Sequence, residues 1–417
     1  MRRATIKKVK ARVCFNSRGE ETVEVDIQVG DQVGRASSPS GASVGKFEAV
    51  SLPDGGASRA VELIARYSKR LVGLDASDPA SISRTLREID GTGNFSRIGG
   101  AAAYAASLAA AEAASRYLRM PLFKLLRRAR GYRLPLPLGN VLGGGKHAGK
   151  GAPDIQEFLI CLLGAKSFRE ALECNRDVHR EVRKRIEEKD SSFSGGRGDE
   201  GGWAPHLPDD QCLELVSKAI EIVSQERGVK MALGIDFAAS SLWDEGSRAY
   251  VYNNWGARRD SGEQLDYVSE IIGTYKLFYV EDPFHDEDFE DFAELLRRKR
   301  GTLIVGDDLF ATNRERLASL SRSKVANAAI VKVNQAGTLG DALGFAKEAR
   351  RRGIAVIASH RSGESVDAHL AHVAIATDSV MLKSGIVGGE RVAKLNELLR
   401  ISDLYSIRSL ARVHPAQ

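Results

Sequence analysis

Residues 328–340 read AAIVKVNQAGTLG, and this stretch decides how the rest of the chain is interpreted. Its first four residues are apolar without a break, which is typical of a strand buried on both faces. Lys332 follows directly and is therefore expected where the strand emerges from the core. For a single strand, a lysine reaching into solvent would be the ordinary interpretation, because lysine is seldom buried without a partner.

The same arrangement recurs along the C-terminal half of the chain. Further apolar runs end in an ionisable side chain: Asp236 in MALGID, Glu281 in LFYVED, Asp307 in LIVGDD, His360 in IAVIASH and Lys383 in MLKSG. Candidate helices lie between them, at 263–274, 287–300, 314–322, 338–352 and 389–400. Over the last four steps the strand ends are about 23–28 residues apart, which is one strand-plus-helix unit. Such repetition predicts a parallel sheet with right-handed crossovers, and the number of units favours a closed (β/α)8 TIM-type barrel over an open sheet.

The N-terminal part follows a different pattern. Residues 22–29, TVEVDIQV, alternate apolar and polar side chains and can pair with both neighbouring segments as a small antiparallel sheet. A Ser/Gly-rich loop at 38–49 precedes helical periodicity from about residue 60 to 126. We therefore expect an α+β domain over residues 1–130, and the Pro-punctuated LPLPLGN at 134–140 to open a barrel domain over 134–417.

Composition excludes several classes of protein. The 417 residues are 43% hydrophobic and 28% charged, with a net charge of +6, which is typical of a globular protein and suits an anionic ligand. The basic N-terminus lacks the apolar segment of a secretory signal and the aromatic residues of a nucleic-acid platform. No apolar run is long enough for a membrane span. The four cysteines form no CxxC pair, so we expect reduced thiols and a cytoplasmic location.

The charged strand ends predict a metal-dependent acid–base site. In a barrel these ends meet on one face, where Asp236, Glu281 and Asp307 would repel one another unless a cation lay among them. Three carboxylates without cysteine favour a hard cation such as Mg²⁺. Beside such a cation and another ammonium group, Lys332 or Lys383 would be shifted toward its neutral form and could act as a general base.

Three further segments are compatible with ligand binding but are weak signals individually. His360, Arg361 and Ser362 could hold a phosphate or carboxylate. Glu200 lies in the glycine-rich GRGDEGGWAP at 196–205, where the backbone can approach a ligand closely, although a surface turn is the ordinary alternative. The glycine-rich LGGGKHAGKG at 142–151 could cradle phosphate or be a plain loop.

Taken together, these segments resemble the enolase family. The resemblance extends from NSRGEETVEV at 16–25 to RVAKLNELLRI at 391–401, which is nearly the whole chain. Between those limits the matching segments occur in the family's order: SGASVGKFEA, NVLGGGKHAG, DIQEF, GDEGGWAP, LGIDFAAS, VEDPF, VGDDLFATN, VKVNQAGTLG, SHRSGE and LKSG. Ten segments in order are a far more specific signal than any one of them.

The resemblance implies the reversible dehydration of 2-phospho-D-glycerate to phosphoenolpyruvate. It implies Lys332 as the base that removes the C2 proton and Glu200 as the acid at the C3 hydroxyl, with Glu157 and His360 also in the catalytic group. It implies two Mg²⁺ ions, the first held by Asp236, Glu281 and Asp307, the second bound with substrate and the help of Ser43. The implied substrate contacts are His147, Gln156, Glu157, Glu281, Asp307, Arg361, Ser362 and Lys383.

Two departures and two alternatives accompany the resemblance. Val44 stands where the family's lid usually has Thr, and Gly143 where it usually has Asn, so both bear on the closing loops. The alternatives are another acid dehydratase or racemase of the same superfamily, and a catalytically idle binding protein. The SHRSGE and GASVG segments argue against the first, and the retained charges argue against the second. The family also implies a homodimer or a larger homo-oligomer.

Overall fold

The structure, a computed structural model, describes residues 3–42, 45–320 and 323–413. Its N-terminal part begins with a three-stranded antiparallel sheet in the order β1–β2–β3. The alternation seen in TVEVDIQV buries Val23, Val25 and Ile27 on one face of β2. The alanine-rich helix α3 packs on this sheet so closely that a Cβ on Gly34 would lie 2.1 Å from the carbonyl oxygen of Ala109. The elements are β1 Ile6–Phe15, β2 Glu21–Val29, β3 Gln32–Ser37, α1 Gly56–Tyr67, α2 Pro79–Asp90, α3 Gly100–Tyr117 and α4 Leu122–Leu126.

The C-terminal part is a closed eight-stranded barrel, which confirms the predicted barrel preceded by an α+β unit. Its first strands are irregular, because β5 runs antiparallel to both β4 and β6, whereas the other neighbours run parallel. The elements are β4 Leu136–Gly143, β5 Glu157–Leu162, α5 Phe168–Lys189, α6 Asp209–Arg227, β6 Met231–Asp236, β7 Trp243–Asp244, β8 Ala249–Tyr252, β9 Ala257–Arg259, α7 Ser261–Tyr275, β10 Tyr279–Glu281, α8 Phe289–Arg298, β11 Leu303–Gly306, α9 Arg314–Leu320, β12 Ala328–Val331, α10 Val333–Ala336, α11 Leu339–Arg351, β13 Ala355–Ser359, α12 His369–Ala376, β14 Met381–Gly385 and α13 Gly389–Leu404.

Strand register brings the predicted charges to one rim of the barrel. All four residues of β12 are buried, and Lys332 follows its last residue. In the register of the sheet, Asp236 is paired with both Glu157 and Glu281, and Ser359 is paired with Lys383. The helices expected between the strands are present, within four residues of the expected ends. Among the described residues, no helix is long and apolar enough to cross a membrane.

The antiparallel sheet is fastened to the barrel beside the site. The carboxylate of Asp367 accepts hydrogen bonds from the backbone N–H and the hydroxyl of Ser37, at 2.7 and 3.1 Å. His369, at the start of α12, is buried between Glu112 of α3 and Asp367, at 3.6 and 3.7 Å. Burial alone would lower the pKa of His369, but these two carboxylates outweigh both burial and the nearby Lys394, and the pKa is raised above 6.5.

The contact of His369 with Glu112 and Asp367 predicts that part of the free energy of unfolding depends on pH. A histidine whose pKa is raised on folding contributes stability that is complete below its unfolded-state pKa of 6.5 and is lost as the pH rises through the folded-state value. We expect His369→Gln to lose that dependence. Urea unfolding between pH 5.5 and 8.5 measures it, and a parallel pH dependence in wild type and variant would assign the effect to other groups.

Candidate active site

A polar cavity at the C-terminal rim of the barrel brings most of the predicted site residues together. It is also lined by Glu48 and Ala42 from the N-terminal loop. Glu281 is fully buried and is not among the residues that line the cavity, and Ser43 and Val44 lie outside the described residues. The predicted residues that line it are His147, Gln156, Glu157, Glu200, Asp236, Asp307, Lys332, His360, Arg361, Ser362 and Lys383.

Lys383, on β14, is surrounded by carboxylates. Its Nζ lies 2.7 Å from Asp236 Oδ2, 2.7 Å from Glu281 Oε2 and 2.8 Å from Glu157 Oε2. Burial opposes the charged ammonium, but the three carboxylates raise the pKa of Lys383 well above its usual value. Lys383 is thus a fixed cation, and of the two rim lysines it is the less suited to accept a proton.

We expect Lys383→Met to lower the free energy of unfolding of the metal-free protein by about 3–5 kcal/mol, because it leaves a buried carboxylate cluster without its cation. Added Mg²⁺ should restore more stability to the variant than to the wild type, since ion binding at the carboxylates replaces the lost charge. Urea unfolding with EDTA and with Mg²⁺ measures both effects. Lys218→Met, which removes an exposed lysine paired with Glu221, is the matched control. Equal losses in the two variants would refute a central role for the buried cation.

Lys332 is held on the other side of the rim by Asp307, with which it forms a close ion pair. Burial, Arg361 and Lys383 all act to lower the pKa of Lys332, but the adjacent Asp307 outweighs them and the pKa is raised. The lowered pKa expected from the sequence is therefore not found for Lys332 beside Asp307. The expectation assumed a cation on Asp307, and such a cation would offset the contribution that now dominates.

Glu200 faces the cavity from the glycine-rich segment after α5. His360 Nε2 lies 2.9 Å from Glu200 Oε2, and Arg391 Nη1 lies 2.8 Å from His360 Nδ1. Because arginine only donates, Nδ1 must be the acceptor and Nε2–H donates to Glu200. Burial lowers the pKa of His360 to about 4, so the ring is a neutral donor. His360 thus holds the Glu200 carboxylate in one orientation.

Glu157 and Glu200 share a buried environment with His147. Ligand atoms of the three side chains lie within 4.8 Å of one another. His147 Nδ1 lies 3.6 Å from Glu157 and its Nε2 lies 3.7 Å from Glu200. Burial and the charge of Glu200 raise the pKa of Glu157 to about 7. Burial also opposes ionisation of Glu200, but His147 and His360 outweigh it and lower the pKa of Glu200. Of the two carboxyl groups, Glu157 is therefore the one that holds a proton to higher pH.

The third side of the cavity carries Arg361 and Ser362, whose side chains and backbone are held by hydrogen bonds. Arg361 Nη1 donates to Glu48 Oε2 at 2.9 Å and to Asn334 Oδ1 at 3.3 Å. Ser362 Oγ accepts the N–H of Ala42 at 2.8 Å. The fully buried Arg391 donates to the carbonyl oxygens of Arg361 and Ser362, so it fixes the backbone of this segment.

The acidic residues fit a hard divalent cation. Glu281 Oε1 is buried without a hydrogen-bond partner, which leaves a carboxylate oxygen available to a cation. The two lysines hold the three predicted ligands, since Lys383 lies against Asp236 and Glu281 and Lys332 pairs with Asp307. Asp307 also groups closely with Asp282 and Asp308. The Asp282 carboxylate, however, is occupied by the backbone N–H groups of Asp307 and Asp308, at 3.0 and 2.7 Å.

Some side chains that contact the predicted site residues were not themselves predicted from the sequence. Glu48, Gln335 and Arg391 contact predicted site residues through side chains that no strand-end pattern marks. Gln335 lies three positions after Lys332 and Glu48 five positions after Ser43, whereas Arg391 lies eight positions after Lys383. Gly143, where the family usually has Asn, has room for a side chain, because a Cβ there would approach nothing closer than 3.9 Å.

A barrel rim that combines buried carboxylates, two lysines and an oriented glutamate defines a class of enzyme. Such a site can hold a divalent cation, bind an anionic substrate and move protons on opposite sides of it. The fold and the site are thus those of a barrel enzyme whose charged rim is suited to acid–base chemistry on an anionic substrate.

Comparison with known proteins narrows this class to one family. The model of the enolase C-terminal TIM barrel domain matches residues 131–411, and that of the enolase N-terminal domain matches residues 6–126. The chain is 46% identical over 402 residues to the enolase of Methanosphaera stadtmanae, covering 96% of this chain and 97% of the relative. It is 45% identical over 399 residues to that of Pyrobaculum aerophilum, covering 94% and 95%. The chain belongs to the enolase family, and it is a lyase with the glycolytic phosphopyruvate hydratase function.

Proposed function

We propose that this site dehydrates 2-phospho-D-glycerate reversibly to phosphoenolpyruvate with Lys332 as the general base and Glu200 as the general acid. The observation that carries the proposal is that both side chains line one cavity, each held by a separate buried partner. Asp307 pairs with Lys332, and His360 donates to Glu200. A base and an acid with separate partners can act on adjacent carbons of one substrate without neutralising each other.

Removal of the C2 proton is the difficult step. That proton is weakly acidic because its loss places a second negative charge on the substrate's carboxylate. Neutral Lys332 accepts the proton, and Lys383 stabilises the developing charge as a fixed cation. A divalent metal held by Asp236, Glu281 and Asp307 would supply further charge stabilisation when bound.

Departure of the C3 hydroxyl completes the reaction. Glu200 delivers a proton to the hydroxyl, the C3–O bond breaks, and water leaves as the C2–C3 double bond forms. Glu157, whose pKa is raised to about 7, can supply Glu200 with this proton, because the two carboxyl groups are adjacent. In this scheme His360 and His147 keep Glu200 oriented, and Glu157 supports the leaving hydroxyl.

The remaining contacts would orient the substrate. Arg361 and Ser362 would bind the phosphate, since arginine matches phosphate geometry and Arg361 is buried with its backbone held by Arg391. Gln156 donates to Asp236 Oδ2 at 3.4 Å and would contact the substrate from the same side as His147. We assign Mg²⁺ as the cation, with two ions per site, the second bound together with substrate and with Ser43.

An absorbance assay tests the proposal. Adding 2-phosphoglycerate and Mg²⁺ to the full chain should produce the absorbance of the enol product, and EDTA should stop it. A parallel panel of sugar acids tests the alternative of another acid dehydratase. Turnover of a sugar acid without turnover of 2-phosphoglycerate would reject the proposed reaction, and no turnover over a range of Mg²⁺ concentrations and temperatures would favour an idle binding protein.

The proposed working state is a cytoplasmic homodimer or larger homo-oligomer with an N-terminal domain at 1–130 and a barrel domain at 134–417. The four cysteines, none of them in a disulfide, support a reducing compartment, and Cys161, Cys174 and Cys212 are buried. No nucleic acid partner is proposed. Light scattering of the purified full chain would establish the number of subunits.

A further inference from the structure

Glu48 connects the N-terminal loop to the phosphate side of the site. Its side chain is buried, and both of its carboxylate oxygens are used. Oε2 accepts from Arg361 Nη1 at 2.9 Å, and Oε1 accepts the N–H of Gly45 at 3.0 Å. The Glu48 carboxylate therefore fixes the guanidinium of Arg361 and also closes the loop's turn at 45–48.

Gln335, on α10, connects the same carboxylate to the metal side. Thr312 Oγ accepts the backbone N–H of Lys332 at 3.0 Å, so its hydroxyl proton is free to go to Gln335 Oε1 at 2.7 Å. This bond fixes the orientation of the Gln335 amide. Its Nε2 then donates to Asp307 Oδ1 at 2.9 Å and faces Glu48 Oε1 at 3.4 Å.

We propose that Glu48 and Gln335 are paired positioning residues that set Asp307 and Arg361 as one hydrogen-bonded unit. The inference rests on the proposed function for the roles of Asp307 as metal ligand and Arg361 as phosphate ligand. Groups that orient a metal ligand commonly change metal affinity by 10–100-fold when they are removed. Through this pair, a shift of the Arg361 guanidinium changes the position of the Asp307 carboxylate, and a shift of Asp307 changes that of Arg361.

A purely structural role makes a different prediction. The loop is also fastened to α10 by a backbone hydrogen bond from Ala49 N–H to Gln335 O at 2.8 Å, which no side-chain replacement removes. Side-chain variants at 48 and 335 are therefore expected to fold. If the pair only stabilised the loop, the variants would change the unfolding midpoint but not the affinity for metal.

The test is a double-mutant cycle on the affinity of the full chain for Mg²⁺ alone, measured by titration calorimetry. Gln335→Met keeps the length of the side chain but leaves Asp307 without its donor, so the affinity should fall about 10–100-fold. In Glu48→Gln, Arg361 takes the single carbonyl oxygen, and the new NH₂ faces the NH₂ of Gln335. This repulsion should shift Gln335 away from Asp307 and also weaken Mg²⁺ binding.

In the double variant the donor that Glu48→Gln disturbs is already gone. Its loss of Mg²⁺ affinity should therefore be clearly smaller than the product of the two single losses. Fully multiplicative effects, or an unchanged affinity in Gln335→Met, would overturn the proposal. Thr338→Ala removes a helix cap outside the unit and is the control for general destabilisation, because its Mg²⁺ affinity should equal that of the wild type.

A kinetic measurement adds a second test of the pair, and the calorimetric cycle keeps that test independent of the proposed reaction. Glu48→Gln should change KM for 2-phosphoglycerate more than kcat, because it acts on Arg361 rather than on the proton-transfer groups. A fall in kcat alone would count against the pair. The calorimetric cycle needs no substrate, so an enzyme inactive on 2-phosphoglycerate would reject the proposed reaction while the cycle still decided whether the pair positions Asp307.

Discussion

Lys332→Ala is expected to reduce kcat for 2-phosphoglycerate by about 10⁴-fold, the upper end of what a positioned general base contributes. Lys383 is not expected to replace it as base, because it is held by three carboxylates at 2.7–2.8 Å. Mg²⁺ binding should persist, since the carboxylates proposed as metal ligands remain. Steady-state kinetics and titration calorimetry on the same preparation measure the two properties.

Lys332→Arg is the matched control for charge. Arginine keeps the positive charge beside Asp307 but cannot lose its proton in a protein. Both variants should therefore be inactive. If the arginine variant recovered most of the activity, the positive charge of residue 332 would be what matters and its role as a base would be excluded.

Glu281→Gln is expected to have the other large effect, a fall in Mg²⁺ affinity of at least about 100-fold, since even groups that merely orient a metal ligand change affinity by up to that amount. Glu281 is fully buried, and its Oε1 has no hydrogen-bond partner among the described residues. The rate of turnover should fall together with the Mg²⁺ affinity, and it should recover in part as the Mg²⁺ concentration is raised. Calorimetry and a Mg²⁺ titration of the rate measure these effects.

Glu294→Gln serves as the control for that experiment. Glu294 lies on α8 and pairs with Arg297 and Arg298 of the same helix, and it is not among the residues that line the cavity. Its Mg²⁺ affinity and rate should match those of the wild type. Wild-type Mg²⁺ affinity in Glu281→Gln would remove Glu281 from the metal site.

The barrel and its charged rim were predictable from local pattern. A run such as AAIV followed by Lys332 fixes both the buried strand and the residue at its end, and parallel strands bring successive ends together. The antiparallel start at β4 and β5 does not follow from that repeat.

The partners of the rim residues were not predictable in the same way. Glu48 meets Gln335 across 287 residues of sequence, and Arg391 reaches His360 from a helix beyond the barrel's last strand. Protonation also depends on such contacts, as the raised pKa of Lys332 beside Asp307 illustrates. Strand patterns carry no information about these long-range neighbours.

Exchange of the C2 hydrogen of 2-phosphoglycerate with solvent tests the central claim most directly, because it isolates proton removal from loss of the hydroxyl. The substrate is incubated in D₂O with Mg²⁺ and each variant, and deuterium at C2 is followed by NMR. Glu200→Gln should incorporate deuterium while forming little phosphoenolpyruvate, and Lys332→Ala should incorporate none. Deuterium incorporation by Lys332→Ala together with none by Glu200→Gln would contradict the assignment of base and acid.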